Sequence, residues 1–357
     1  MALELRQVTK NVGAEPHIYE TSLVFEPGGF NILLGATNAG KSTLIKLMAG
    51  LERPTTGQIW VDGQNVTGVN PQKRNIALVH QFFINYPHMS VYENIASPLR
   101  VAGVSDIDRR VREAADVLQL GPMLERKPQE LSGGQQQRCA LARAIVKESK
   151  AILLDEPLAN LDYKLREELR DQLPEILGER GTVVVYATSE PTEALMLGGH
   201  TALVHEGRVT QFGPTPDIYR VPADLTSAAV FSDPPMNLAP VEKRGNEMHL
   251  HGLHWTVSGA AAGLADGQYV VGIRPHHILP VKPDATSIQI DGRVEITELS
   301  GSESVAHFAL GDRSWVSLSP GTHPYSVGEA HDFHMIPSAC YYFTRDGALA
   351  AAGGMHG

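Results

Sequence analysis

The sequence predicts an α/β domain followed by a smaller all-β domain, and three observations carry that prediction. Short apolar strands alternate with helical patterns over residues 1 to about 235. A glycine-rich run, Gly35-Ala36-Thr37-Asn38-Ala39-Gly40-Lys41-Ser42, stands between an apolar strand and a helix, the context a phosphate-binding loop needs. After Ser232-Asp233-Pro234-Pro235 the helical spacing stops, and short strands dominate to about residue 344.

The elements follow in order. Phe30–Leu34 is a short buried strand, Lys41–Ala49 a helix, and Gly50 can close it in the left-handed conformation. Residues 57–63 read as a strand ending in an Asp62-Gly63 hairpin turn. Residues 88–150 form a largely helical subdomain, with Val111, Ala114, Ala115 and Leu118 on one helix face. Residues 151–154 and 182–186 are two further buried strands. In the second domain, 236–357, the pairs Ile288/Ile290 and Val294/Ile296 flank Asp291-Gly292 and predict a β hairpin. The Ala/Gly-rich tail, 348–357, is expected to fray.

Bulk properties exclude several classes. A chain of 357 residues exceeds one typical core and predicts two domains. With 40 acidic against 30 basic residues the formal charge is −10, unlike most nucleic-acid binders, so any phosphate must be met by local donors. No apolar run is long enough to span a bilayer, and the first residues lack a signal-peptide layout. Cys139 and Cys340, one in each half and without metal spacing, suit a reducing compartment. Histidines at 249/251/254, 276/277 and 323/331/334 lie in strand patterns where surface or half-buried histidines outnumber metal ligands.

The loop carries the first chemistry. Gly35, Asn38, Ala39, Gly40, Lys41, Ser42 and Thr43 are the candidate phosphate-binding positions: backbone N–H groups and a helix N-terminus face the anion. Lys41 neutralises the β- and γ-phosphates, and the Ser42 hydroxyl is placed to ligate Mg²⁺. Asn38 tolerates a left-handed backbone where glycine is frequent. Asp155 ends the strand Ile152-Leu153-Leu154, so its carboxylate emerges beside the loop as a second Mg²⁺ ligand, with Glu156 next to it. Ser132-Gly133-Gly134-Gln135 precedes a helix; taken alone, Ser132 is a helix cap.

Five motifs in fixed order, the loop, Gln81, Leu131 to Gln135, Ile152 to Pro157 and Leu161-Asp162, together resemble the ATP-binding-cassette family, in which two such domains sandwich ATP. The resemblance implies that Glu156 is the general base and that Gln81 senses Mg²⁺ and the attacking water. It implies that Ser132, Gly133, Gly134, Gln135 and Asp162 serve the nucleotide held by the opposite subunit. It makes Phe82 to Pro87 the wall of a groove for a transporter's coupling helix, with about half its apolar side chains in the core. Two positions depart from the family. Val12 stands where an adenine-stacking aromatic is common, a loss of ~1 kcal/mol that Tyr19 could offset. Ser189, in Tyr186-Ala187-Thr188-Ser189-Glu190, replaces the usual γ-phosphate-sensing histidine.

Residues 236 onward, with Gly272-Ile273-Arg274-Pro275-His276-His277, resemble the OB-like accessory domain of carbohydrate and polyol importer ATPases. Asn85-Tyr86-Pro87 and residues 189–195 most resemble one ATPase subunit of bacterial glycerol importers, in which two different ATPase subunits pair. The resemblance therefore implies an ATP- and Mg²⁺-dependent ATPase on the cytoplasmic face of the cell membrane. Its implied partners are a second ATPase subunit, two permease subunits and, indirectly, a solute-binding protein, with no nucleic acid. Two alternatives remain. A soluble cassette protein acting on DNA or ribosomes would need insertions, a coiled coil or a second cassette. A degenerate binding scaffold is opposed by the presence of Lys41, Asp155 and Glu156.

Overall fold

Strands that are apolar on both faces must lie inside a sheet covered on both sides. In the computed structural model, which describes residues 2–82, 84–159, 161–178 and 181–353, that condition holds for β3 (Phe30–Leu34), β7 (Ala151–Asp155) and β8 (Val183–Thr188), every residue of which is buried. The remaining elements up to Pro216 are β1 (Leu3–Val12), β2 (Glu15–Phe25), α1 (Lys41–Ala49), β4 (Thr56–Val61), β5 (Gln64–Asn65) and β6 (Ile76–Val79), then α2 (Val91–Val101), α3 (Ile107–Val117) and α4 (Gly133–Val146), and finally α5 (Tyr163–Gly178), α6 (Pro191–Leu197), β9 (His200–His205) and β10 (Arg208–Pro214). One sheet has the order β10-β9-β3-β8-β7-β6, parallel except for β10; an antiparallel sheet has the order β2-β1-β4-β5. The two sheets enclose α1 in a common core that includes Leu5, Phe25, Leu33, Leu44, Leu47, Leu153 and Val185.

Local chemistry fixes the elements that carry the motifs. The C-terminal end of α1 closes at Gly50 (φ 81°), and the buried Arg74 donates to the carbonyls of Leu47, Met48, Thr67 and Val69. Both α2 and α4 begin with capping boxes, Ser90 with Glu93 and Ser132 with Gln135. Buried Asn94 accepts from Tyr86 N–H and donates to the carbonyls of Tyr86, Met89 and Ser90, which pins the loop ahead of α2. That loop does not split evenly between core and surface: Phe82 is 76% exposed, Ile84 61% and Tyr86 48%, while Phe83 lies outside the described residues. The Arg143 guanidinium over the Tyr86 ring, 4.8 Å from its centroid, holds that ring at the surface.

The chain divides into two compact units after Pro216, earlier than the break at 235 suggests. Helix α7 (Thr215–Arg220) carries the division and α8 (Leu225–Val230) follows it. Two interactions tie residues 217–235 to the second unit. Buried Arg274 donates to the Tyr219 carbonyl (2.6 Å) and the Tyr341 hydroxyl (2.5 Å), its guanidinium over the Tyr219 ring. Ala228 and Met236 pack with Tyr341 and Phe343 in one cluster. The proline-rich stretch is thus flanked on both sides by residues packed in this cluster.

The second unit is built of β11 (Asn237–Arg244), β12 (Glu247–Leu250), β13 (Leu253–Thr256), a short α9 (Gly259–Ala262), β14 (Gly267–Ile273), β15 (Ile278–Leu279), β16 (Ile288–Leu299), β17 (Glu303–Leu310), β18 (Arg313–Pro320), β19 (Ala330–Met335), β20 (Tyr341–Phe343) and β21 (Leu349–Ala352). They form antiparallel sheets of order β13-β12-β11-β14-β20-β21 and β15-β19-β16-β17-β18, which share a core of Trp255, Val271, Ile290, Phe308, Trp315 and Phe333. This is the near-barrel expected of an OB-like domain.

Two expectations fail here for identifiable reasons. Asp291-Gly292 is not a hairpin turn; it lies within β16, paired with Asp332 and His331 of β19. Gly292 is required by contact, because a Cβ there would lie 2.3 Å from the Phe308 ring. The stacked Phe308 and Phe333 rings, 4.0 Å apart, leave room for no side chain. The tail does not fray from 348: β21 pairs with β20, and residues 354–357 lie outside the described residues. Gly292→Val should therefore destabilise the second unit by about 1–3 kcal/mol through overpacking, seen as a lower urea midpoint. Gly29→Ala, where a Cβ meets nothing within 4 Å, should leave the midpoint nearly unchanged.

Candidate functional site

Strand register assembles the site. Leu34 pairs with Thr188, and Asp155 with Ala187, so β3, β7 and β8 end level with one another. Their continuations, the loop from Gly35, the Asp155-Glu156 pair and Ser189, emerge along one edge of the sheet, where α/β folds bind ligands. The Gly35 N–H donates to the Thr188 carbonyl (3.3 Å) and the Glu156 N–H to the Ala187 carbonyl (3.0 Å), which locks the two loops to β8.

Space and backbone angle dictate the loop's glycines. A Cβ on Gly35 would sit 2.1 Å from the Val204 carbonyl oxygen. Gly40 adopts φ 112°, and a Cβ there would meet Ile18 at 2.8 Å. Asn38 takes the left-handed conformation anticipated for it, φ 67°. The Gly207 N–H donates to the Ala39 carbonyl (2.8 Å), so the turn between β9 and β10 braces the loop from behind.

Five side chains converge at the loop. Lys41, 3% exposed, donates from Nζ to the carbonyls of Gly35 (2.7 Å) and Ala36 (3.0 Å) and lies 3.4 Å from Glu156 Oε1. Gln81 Nε2 donates to Glu156 Oε2 (3.1 Å). Ser42 Oγ donates to Asp155 Oδ1 (2.9 Å). Glu156 holds φ 48°, an uncommon angle for a residue with a side chain, which the pairing of its N–H with β8 sustains. Burial lowers the pKa of Lys41, opposed chiefly by Glu156. Burial likewise raises the pKa of Asp155, opposed by the Ser42 hydroxyl and by the charges of His80 and Lys41. Both groups are therefore poised to gain from a ligand of opposite charge.

A cavity of about 570 Å³ opens over this cluster, lined by Thr37, Asn38, Gly40, Lys41, Ser42 and Thr43 and walled further by Gln81 and Glu156. Its far wall was not legible in the sequence: Pro16 and His17 from β2, Lys46 from α1, and Glu206 with Gly207 from the β9–β10 turn. Apart from Lys46, one helical turn past Ser42, nothing in linear order links these residues to the loop. A larger cleft, about 1020 Å³ between Asn75, Arg110, Lys147 and Thr182, holds none of the motif residues.

The other sequence candidates are not part of this cavity. Val12 is 55% exposed at the end of β1, and neither Val12 nor Tyr19 lines the cavity. The face of Tyr19 is covered by the Arg208 guanidinium, 3.4 Å from the ring centroid. Ser132, Gly133, Gly134 and Gln135 form the first turn of α4, away from Lys41's cavity, with Ser132 and Gln135 each bonded to the other's backbone. Asp162 Oδ1 accepts from the Leu165 N–H, capping α5. Ser189 is exposed just past β8. Beneath it, Thr188 and Tyr186 donate to buried Glu193, which Arg166 of α5 approaches to 3.5 Å.

The donor set fits a magnesium-borne nucleotide. Mg²⁺ takes one or two protein oxygens and fills its octahedron with phosphate and water. The Ser42 hydroxyl and Asp155 carboxylate are such a pair, while the described residues hold no group of three His, Cys, Asp or Glu side chains able to form a protein-only metal cage.

Comparison with known proteins agrees with this geometry. Residues 18–159 match the family model described as ABC transporter, and residues 271–343 match that described as TOBE domain. The sn-glycerol-3-phosphate import ATP-binding protein UgpC 3 of Rhizobium etli is 41% identical over 312 residues, 87% of each chain. The sn-glycerol-3-phosphate import ATP-binding protein UgpC of Yersinia enterocolitica is 37% identical over 355 residues, covering 97% of this chain and 98% of the relative. Among solved structures, a dimeric post-hydrolysis ATP-binding cassette with ADP and Pi bound superposes with TM-score 0.55 at 28% identity, over 60% of this chain and 98% of that one. A phosphate loop with its lysine, serine and acidic strand end in register, a capped glycine-rich helix and full-length relatives at this identity establish that the chain belongs to the ABC transporter family, as an ATP-binding subunit.

Proposed function

We propose that this chain is the ATP-hydrolysing subunit of an importer for a polyol or polyol phosphate such as glycerol-3-phosphate, peripheral at the cytoplasmic membrane face and working as half of an ATP sandwich. The observation that carries the catalytic part is the convergence of Lys41 and Gln81 on the two oxygens of Glu156, beside the Ser42–Asp155 pair. The names of the relatives support the solute class.

The residues divide the work. Loop N–H groups and Lys41 hold the β- and γ-phosphates; Ser42 and Asp155 hold Mg²⁺, which neutralises phosphate charge. When the γ-phosphate draws Lys41 away from Glu156, the carboxylate is free to accept a proton from the attacking water, which Gln81 orients. Phosphoryl transfer asks mainly for positioning and charge stabilisation, so one base suffices. The first turn of α4, with Ser132 and Gly134, presents donors to the nucleotide of the opposite subunit, and Asp162 lies in the loop that would meet it.

Lys41→Ala should weaken ATP binding by at least about tenfold, the cost of one charged hydrogen bond of roughly 1.5–3 kcal/mol. Glu156→Gln should keep binding and, wherever this subunit's own site turns over, trap a closed sandwich and slow phosphate release. Nucleotide titration and steady-state phosphate release separate the two effects; unchanged turnover in Glu156→Gln would show that this subunit's own site is not hydrolytic.

The exposed Phe82, Ile84 and Tyr86, on a loop pinned by Asn94, present an apolar surface beside Gln81. A photocrosslinker at Phe82 or Ile84 in the native complex should capture a transmembrane permease subunit, and one at exposed Val281 of the second unit should not. Crosslinks confined to Val281 would move the permease contact elsewhere.

Ser189 at the sensor position makes this chain's own site the weaker one, while its α4 turn can complete a stronger site on a different partner that supplies a histidine. The native ATPase pair is therefore heteromeric. In the reconstituted complex, Gly134→Asp should abolish most turnover, and Ser189→Ala should change it less than about threefold, against the ten- to hundredfold that one charged hydrogen bond is worth. Collapse with Ser189→Ala alongside indifference to Gly134→Asp would reverse the assignment of the working site.

A further inference from the structure

Glu156 is held from two sides in a backbone conformation that residues with side chains seldom adopt, φ 48°. Its N–H donates to the Ala187 carbonyl of β8 (3.0 Å). On the other side stands Gln137, in α4 and 2% exposed. Gln137 Nε2 donates to the Pro157 carbonyl and lies 3.5 Å from the Glu156 carbonyl oxygen. Gln137 is not among the residues that line the nucleotide cavity, so it reaches the site through this backbone. We infer that Gln137 is a positioning residue for Glu156: it fixes the backbone at 156 and 157 from α4, and so sets where the Glu156 carboxylate points. The inference rests on the reading of Glu156 as the general base.

Two features set this contact apart from ordinary packing. The Gln137 Oε1 atom is buried and has no hydrogen-bond partner among the described residues. An unmet buried acceptor costs stability that a methionine of similar bulk would not lose, so packing alone does not account for the amide; the bonds of its Nε2 do. The second feature is that α4 is tied to the Glu156 carboxylate as well. Gln81 Nε2 donates to Glu156 Oε2 (3.1 Å), and further along the same loop Asn85 Nδ2 donates to the Gln136 carbonyl (2.8 Å). Consecutive residues of α4, Gln136 and Gln137, thus bear on the base by two routes, one through its carboxylate and one through its backbone. Both lie about one helical turn from Ser132 to Gly134, the turn offered to the opposite subunit's nucleotide. A shift of that turn would therefore be passed to this chain's own base, whose carboxylate loses about a hundredfold in rate for a misplacement of about 1 Å.

The test reads Mg-ATP affinity of the full-length chain by calorimetric titration, and kcat and KM of the reconstituted complex. Gln137→Met keeps the side-chain length and removes the donor. It should lower kcat about tenfold or more, with ATP affinity and KM changed less than about twofold. Gln137→His, whose Nε2 can donate at similar reach, should retain more turnover than Gln137→Met. In a Glu156→Gln background Gln137→Met should remove nothing further, because the group it positions is gone. Wild-type kcat in Gln137→Met overturns the inference, and so does an equal fractional loss in the Glu156→Gln background. A parallel loss of ATP affinity in both Gln137 variants also overturns it, since Gln137 would then support the fold as a whole. Unchanged turnover in Glu156→Gln alone refutes the reading of Glu156 as the base, whereas slowed Glu156→Gln beside unaffected Gln137→Met refutes the positioning role by itself.

Discussion

The site depends on one constraint, the hydrogen-bonded register of β3, β8 and β7. Parallel strands that end level present their following residues along a common edge, and here three neighbouring strand ends deliver the loop from Gly35, the Asp155-Glu156 pair and Ser189. A one-residue slip in any of them would exchange its two packed faces and misfit side chains on both sides of the sheet, since every residue of these strands is buried. Burial of the strands therefore fixes the catalytic geometry more firmly than the polar contacts in the site do. Those contacts are few and exchangeable: Lys41 bonds to loop carbonyls and to Glu156, groups it can leave when a phosphate competes.

Around this edge, the structure spends its buried polar groups on fixing backbone. Arg74 holds the carbonyl end of α1, whose other end bears Lys41. Asn94 holds the loop that presents Phe82, Ile84 and Tyr86. Glu193, with Tyr186, Thr188 and Arg166, ties the end of β8 to α5, the helix that Asp162 caps. Burial and the adjacent carboxylate push the Tyr186 hydroxyl far above its ordinary range, so it stays a donor to Glu193. The end of β8, just before Ser189, and the start of α5 at Asp162 are thus linked through Glu193 and Arg166.

In the second unit, Arg274 has the equivalent organising role. Its guanidinium is enclosed by the rings of Tyr219 and Tyr341 and donates to both residues, so a helix that precedes the proline-rich stretch belongs to the β unit. Pro234 and Pro235 marked a break because composition shows where regular structure stops; it does not reveal that the residues on either side of the break pack together.

The sequence by itself determined the cassette, the phosphate loop, its lysine and serine, the acidic strand end and the capped glycine-rich helix, because each is a local pattern: backbone angles, strand periodicity and helix caps act over a few residues. The Asp62-Gly63 turn and the left-handed Asn38 were legible for the same reason. Gly292 was misread as a turn because a glycine required for a close approach looks the same in sequence as one required for positive φ; only the Phe308 ring across the sheet distinguishes them. The wall of the nucleotide cavity was invisible for a related reason. His17, Lys46 and Glu206 come from three separate elements, and they meet only because a β turn nearly two hundred residues downstream of β2 bonds to both β2 and the phosphate loop. Long-range backbone pairing leaves no periodic trace in a single chain, so which side chains complete the cavity was decided by the tertiary structure alone.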